Sequence, residues 1–297
     1  MVAREARSTW MIWCCKIIDP LNPSRRLVPR AALTLTLPLF LLSGSLAVSF
    51  GAERIPGTTE GLRSFKPAKV VNYRVPERTY VITNLDGWSV HLEQELADDQ
   101  QELATKATRR LAEKLQVVLT LVPSQTHGRL QHLPIFLLLG EESKNGGRDN
   151  GAEYFQKQAP DYWDWIDPRW GSALVIYSAR NYMWLSDEWS VRLLIHELAH
   201  AWHLEQWPEE QVDILAAWKH AQINNLYLNV KAVNGTVIPR AYAMDNQLEY
   251  FAELSCAFFW RGEYEPFDRK NLQTYDPVGV VMLRKVWGVP AEKPLPK

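Results

Sequence analysis

The chain has 297 residues, 46% hydrophobic and 23% charged, a globular composition that excludes a disordered or fibrous protein. Its 33 basic and 34 acidic side chains leave a net charge of -1, so no polycationic face and no nucleic-acid partner are expected. Of the three cysteines, Cys14 and Cys15 lie in the first residues and Cys256 stands alone in the body. No disulfide is expected there, and Cys256 reads as a buried helical thiol.

Arg25, Arg26 and Arg30 precede an uncharged stretch from Ala31 to Ala52, Leu-rich at its centre and small-residue-rich at its end. That order is the order of a secretory signal, and the stretch is also long enough to serve as a membrane anchor. Pro38 and the tail from Ser43 favour the signal. Residues 1–51 are therefore expected to be a signal peptide or N-terminal anchor with a long lead. The product would be secreted, periplasmic or membrane-anchored facing outward. Residues 52–297 are expected to form one domain, with 52–78 as an extended lead-in.

Thr79–Leu85 alternates like a strand. Leu92–Leu115 carries Leu103, Ala107, Leu111 and Leu115 at helical spacing, so one amphipathic helix is predicted. The apolar runs Leu133–Leu139 and Ala173–Ser178 read as buried strands, with a loop over Glu141–Gly151 between them. Ser186 can cap a helix running to about Gln206, with Asp187 and Glu188 in its first turn. Pro208 fits the first turn of a further helix to about Asn229. Val230–Pro239 reads as turn and strand. Asn246 can cap a helix ending near Arg261, and Asp276-Pro277 and Gly288 bracket the last one. Strands first and helices afterwards predict an α+β fold.

The chemistry lies in His196-Glu197-Leu198-Ala199-His200. Imidazoles four residues apart on a helix share one face and reach one tetrahedral zinc ion. Glu197, turned by about 100° from His196, stands beside such a metal and can accept a proton from the water it activates. The flanks Val191, Leu193, Leu194, Ile195, Leu198, Ala201 and Trp202 are apolar, so the helix is buried. Buried imidazoles and a buried carboxylate need partners, and a divalent cation supplies one.

A catalytic zinc needs a third protein ligand, and His203, Glu249 and Glu253 are the candidates. Three ligands from one straight helix converge poorly, so His203 reads as a supporting or core histidine. Glu249 and Glu253 share one face of a mostly apolar helix. Asn246 and Glu249 also match a capping box, which leaves Glu253 unexplained. Placing Glu249 on the metal and Glu253 on a ligand histidine accounts for both.

H-E-x-x-H followed by Glu249-Tyr250-Phe251-Ala252-Glu253 resembles the gluzincin metallopeptidases, in particular those similar to the catalytic domain of anthrax lethal factor. The resemblance covers about residues 170–262. It implies a zincin-like domain in which Glu249 is the third zinc ligand and Glu253 supports the site. It also implies that Tyr242, seven residues before the ligand, helps stabilise the transition state. Tyr242 has a physical case as well, as a hydroxyl aimed at a developing oxyanion, with Tyr250 or Tyr227 as substitutes. Ala173–Ser178 would then be the sheet-edge strand that pairs with substrate.

The function expected is an exported zinc metallopeptidase acting on a peptide or protein. Two rivals share the motif. One is a cell-envelope binding protein on the same fold, against which an intact Glu197 argues. The other is a zinc amidase acting on a cell-wall substrate.

Overall fold

A computed structural model describes residues 71–290, which all fall in one compact unit. The expected signal or anchor at residues 31–52 lies outside the described residues, as do the chain's first lead and most of the extended lead-in. No helix among the described residues is long and apolar enough to cross a membrane.

Residues 71–79 carry no regular element, yet Tyr73 and Arg78 are buried, so the end of the lead-in is part of the core. Strand β1 (Tyr80–Leu85) turns at Asp86-Gly87 into β2 (Trp88–Glu93). Gly87 has a φ of 97°, which a side chain would strain. Leu92 and Glu93 therefore belong to a strand, not to the helix predicted from Leu92. The helical part is also split at Gln100 into α1 (Gln94–Asp99) and α2 (Gln101–Leu121). Ala107, Leu111, Leu115 and Val118 of α2 are buried at the spacing read from the sequence.

A short α3 (His127–Gln131) leads to β3 (Ile135–Leu137). After the expected loop come β4 (Ala152–Phe155), α4 (Ala159–Tyr162), β5 (Ala173–Ile176) and α5 (Ala179–Trp184). The sheet order is β1-β2-β3-β5-β4, with β2, β3 and β5 parallel and the two outer strands antiparallel. Strand β5 is thus interior, which corrects its reading as the substrate edge. Its four residues are all buried because both faces are covered. Ile135, Leu137, Leu174 and Ile176 face the main core under the helices, while Phe136, Val175, Phe155 and Tyr177 face a second aromatic core around Trp170.

Helix α6 (Asp187–Leu204) is capped by Ser186, whose hydroxyl oxygen accepts from the Trp189 amide. In the core it packs mainly against α2 and α8, and also against β4. Helix α7 (Val212–Ile223) starts later and ends earlier than predicted, because Gln211 and not Pro208 brings it in. The hairpin β6 (Leu228–Lys231) and β7 (Val237–Arg240) overlaps the predicted helix only at Leu228 and Asn229 and otherwise fills the stretch read as turn and strand. A 3-10 turn at Tyr242–Met244 leads into α8 (Gln247–Phe259), capped by Asn246. Then follow α9 (Arg269–Tyr275), unforeseen in the sequence, and α10 (Pro277–Trp287), which Asp276 caps and left-handed Gly288 ends as expected. The described residues form a mixed α+β arrangement, a small five-stranded sheet backed by helices together with the β6–β7 hairpin.

Candidate metal centre

Helices α6 and α8 pack against each other and place the motif residues face to face. Val191–Ala199 of α6 and Glu249–Phe258 of α8 are buried throughout, so apolar packing on both helices fixes their separation. Into that interface the sequence puts His196, His200, Glu249 and Glu253. The Nε2 atoms of His196 and His200 are 3.2 Å apart. The Glu249 Oε2 lies 3.1 Å from the first and 3.5 Å from the second. Glu249 therefore turns to the histidines; the capping of α8 falls to Asn246, whose side-chain oxygen accepts from the Leu248 and Glu249 amides.

Glu253, one turn further along α8, meets His196 Nδ1 at 3.0 Å. A carboxylate on Nδ1 holds the proton there and presents a bare Nε2 to the other side. The same carboxylate receives Arg192 Nη2 at 2.6 Å on both oxygens. Arg192 stands one turn before His196 on α6, its guanidinium over the Trp189 ring at 5.0 Å. Sequence reasoning missed Arg192. The signal was a single arginine inside an apolar helical run, which burial obliges to find a carboxylate.

Glu197 is not one of the three converging groups. Its Oε2 accepts from the Tyr154 amide of β4 at 2.9 Å, and its buried Oε1 has no partner among the described residues. The outer strand β4 thus overlies the motif helix at the glutamate. Burial pushes the Glu197 carboxyl up to about 7, against the opposing pull of His196 and His200. Burial pushes Glu249 and Glu253 up as well, but the groups they contact outweigh it. His200 and His196 hold Glu249 well below the usual range, and Arg192 with His196 holds Glu253 at about 2.

The ring of Tyr242 lies nearly parallel to that of His196, with centroids 6.1 Å apart and planes 16° apart. Its two substitutes are excluded. The hydroxyls of Tyr227 and Tyr250 both donate to Asp276 Oδ2, at 2.9 and 2.5 Å, in a separate buried cluster. His203 does not join the site either. Its Nε2 sits 3.1 Å from the Pro208 carbonyl and its ring packs edge-on against Phe251, so it is a core histidine of the α6–α7 connection. Seven residues of straight helix place it two turns beyond His196, out of reach of a common point. Cys256 is buried and free, its thiol turned to the Arg192 carbonyl.

The donor set fits a tetrahedral cation. Zinc–nitrogen and zinc–oxygen bonds of about 2.0–2.1 Å at tetrahedral angles put ligand atoms about 3.3–3.4 Å apart. The observed separations bracket that value, and the His196, His200 and Glu249 donor atoms all lie within 4.8 Å of one another. Access is from the side of His200 and Glu249, whose side chains are 12% and 11% exposed against 1% for His196. No protein-family model matches the chain, and no curated protein or solved structure matches it.

Proposed function

We propose that this chain is an exported zinc-dependent hydrolase of peptide bonds on a zincin-like domain. The observation that carries the reading is the convergence of His196 Nε2, His200 Nε2 and Glu249 Oε2, with Glu197 next to His196 in the chain but not one of the three. Those three residues would hold the ion. Zinc, once bound, supplies Lewis acidity that polarises the scissile carbonyl and acidifies water.

The remaining roles belong to the chain's own groups. Glu197 is the general base: its buried Oε1 takes a proton from the attacking water and returns it to the leaving amine. The Tyr154 amide holds the other oxygen in place and leaves this one free to take the proton. Glu253 and Arg192 fix the His196 ring. Tyr242, beside His196, supplies a hydroxyl on the side where negative charge develops. Strand β4 is the outer strand of the sheet and passes over the motif glutamate. An extended peptide added antiparallel along it would bring its backbone past Glu197.

The test is metal analysis of the purified protein joined to a peptide-library cleavage assay. One zinc per chain and chelator-sensitive cleavage are expected. A protein that binds no zinc and cuts no peptide refutes the proposal.

A further inference from the structure

Beyond the ligands and base lies a residue that the sequence did not single out. Tyr264 follows α8 in the stretch Gly262–Pro266 and is 5% exposed. Its backbone forms an antiparallel bridge with Ala232 of the β6–β7 hairpin. On either side, the Val233 amide donates to the Glu263 carbonyl and the Glu265 amide to the Lys231 carbonyl, both at 2.9 Å. The tyrosine is therefore anchored by its main chain, and its hydroxyl reaches inward from a fixed base. That hydroxyl accepts from the Ala243 amide at 3.0 Å and hydrogen-bonds the Glu253 carboxylate.

The two bonds connect different walls of the candidate centre. Ala243 belongs to the 3-10 turn that carries Tyr242. Glu253 holds His196 through Nδ1. One oxygen thus joins the turn bearing the proposed oxyanion group to the carboxylate orienting a proposed ligand. We propose that Tyr264 is a positioning residue of this centre, its hydroxyl tying the Tyr242 turn to the Glu253 carboxylate that orients His196. The inference rests on the metal-centre reading and adds a residue to it. A phenol is suited to the place because it donates to the carboxylate and accepts from the amide at once, on a rigid ring. Phenylalanine fills the same volume and does neither. Loss of such supporting bonds costs metal sites about 10- to 100-fold in affinity.

The experiment compares Tyr264→Phe with Tyr275→Phe in the full chain. Tyr275 is a control of like chemistry, because its hydroxyl accepts from the Tyr227 amide at 2.6 Å and, among the described residues, bonds to neither Glu253 nor Ala243. Zinc affinity is measured by chelator competition, and ligand geometry by the visible spectrum of the cobalt-loaded protein. Tyr264→Phe should weaken zinc by about 10-fold or more and shift the cobalt bands, while Tyr275→Phe does neither. In a Tyr264→Phe/Glu253→Gln double variant the zinc effects should not add, since both act through one carboxylate. In the wild type, exchange of the Ala243 amide should slow on zinc loading, a readout that needs no variant to fold. An unchanged cobalt spectrum and affinity, equal losses in both tyrosine variants, additive effects or metal-independent Ala243 exchange would each overturn the role of Tyr264. A wild type that binds neither zinc nor cobalt would overturn the metal centre itself, and this role with it.

Discussion

Replacing Arg192 by Met probes the charge balance of the site directly. The guanidinium contacts both oxygens of Glu253 at 2.6 Å, and both side chains are 4% exposed. Met approximates the stem's volume, so packing changes little while Glu253 keeps its negative charge and loses its main cation. Burial pushes that carboxyl up, and Arg192, helped by His196, holds it down to about 2. Breaking one side of a buried ion pair costs about 3–5 kcal/mol. Against a typical domain stability of about 5–15 kcal/mol that is a large share. Urea unfolding in the presence of chelator, at neutral pH, should show a loss of about 3–5 kcal/mol with an unchanged slope. Arg192→Lys should fall between, because an ammonium cannot make the paired contact. Arg192→Met/Glu253→Gln should recover at least half of the loss, because no uncompensated charge stays buried. A single-variant cost below about 1 kcal/mol, or a double variant worse than Arg192→Met, would refute the reasoning.

Other outcomes follow from the same geometry. Glu249→Ala should strip zinc during dialysis while His203→Ala retains it, as metal analysis will report; the opposite pattern would overturn the ligand set. Glu197→Gln should keep its zinc and lose about a hundred- to ten-thousand-fold in peptide hydrolysis, and full activity in that variant would remove Glu197 from the mechanism. His203 is held down to about 4 by burial, from 6.5. Between those values the unfolded chain binds a proton that the folded chain refuses. Its stabilisation is therefore present above about pH 6.5 and is lost, by up to about 3 kcal/mol, as pH falls to about 4. The stability difference between wild type and His203→Gln, followed by urea unfolding in chelator, should change across that window; a constant difference would contradict it.

Periodicity and caps told most about the helices. Ser186, Asn246, Asp276 and Gly288 mark their ends in the structure as they do in the sequence, because a cap is a contact between near neighbours. The apolar flanks of His196 and His200 announced a buried helix for the same local reason. Strands β2 and β4 and helix α9 were not legible. Each is short, and β4 takes its place only by pairing with β5, two dozen residues later in the chain. The limits of α7 were misjudged because Gln211 and the turn at Asn224 and Asn225, not Pro208, bound it.

The sequence by itself determined that two histidines share a helix face with a glutamate beside them, since an i, i+4 spacing needs nothing beyond the helix. The sequence puts Glu249 ahead of Glu253 and His203 as the third ligand, but where their side chains meet the histidine pair is set by tertiary structure. The packing of α8 on α6 puts Glu249 against two Nε2 atoms, Glu253 against one Nδ1, and leaves His203 on the Pro208 carbonyl. The edge strand was likewise settled only by sheet order, since β5 and β4 are both short apolar runs and only one of them has a neighbour on each side. Arg192, Tyr154 and Tyr264 enter the site through contacts spanning 61, 43 and 21 residues of chain. No local pattern encodes such contacts, because they exist only once burial has forced each polar group to find its partner.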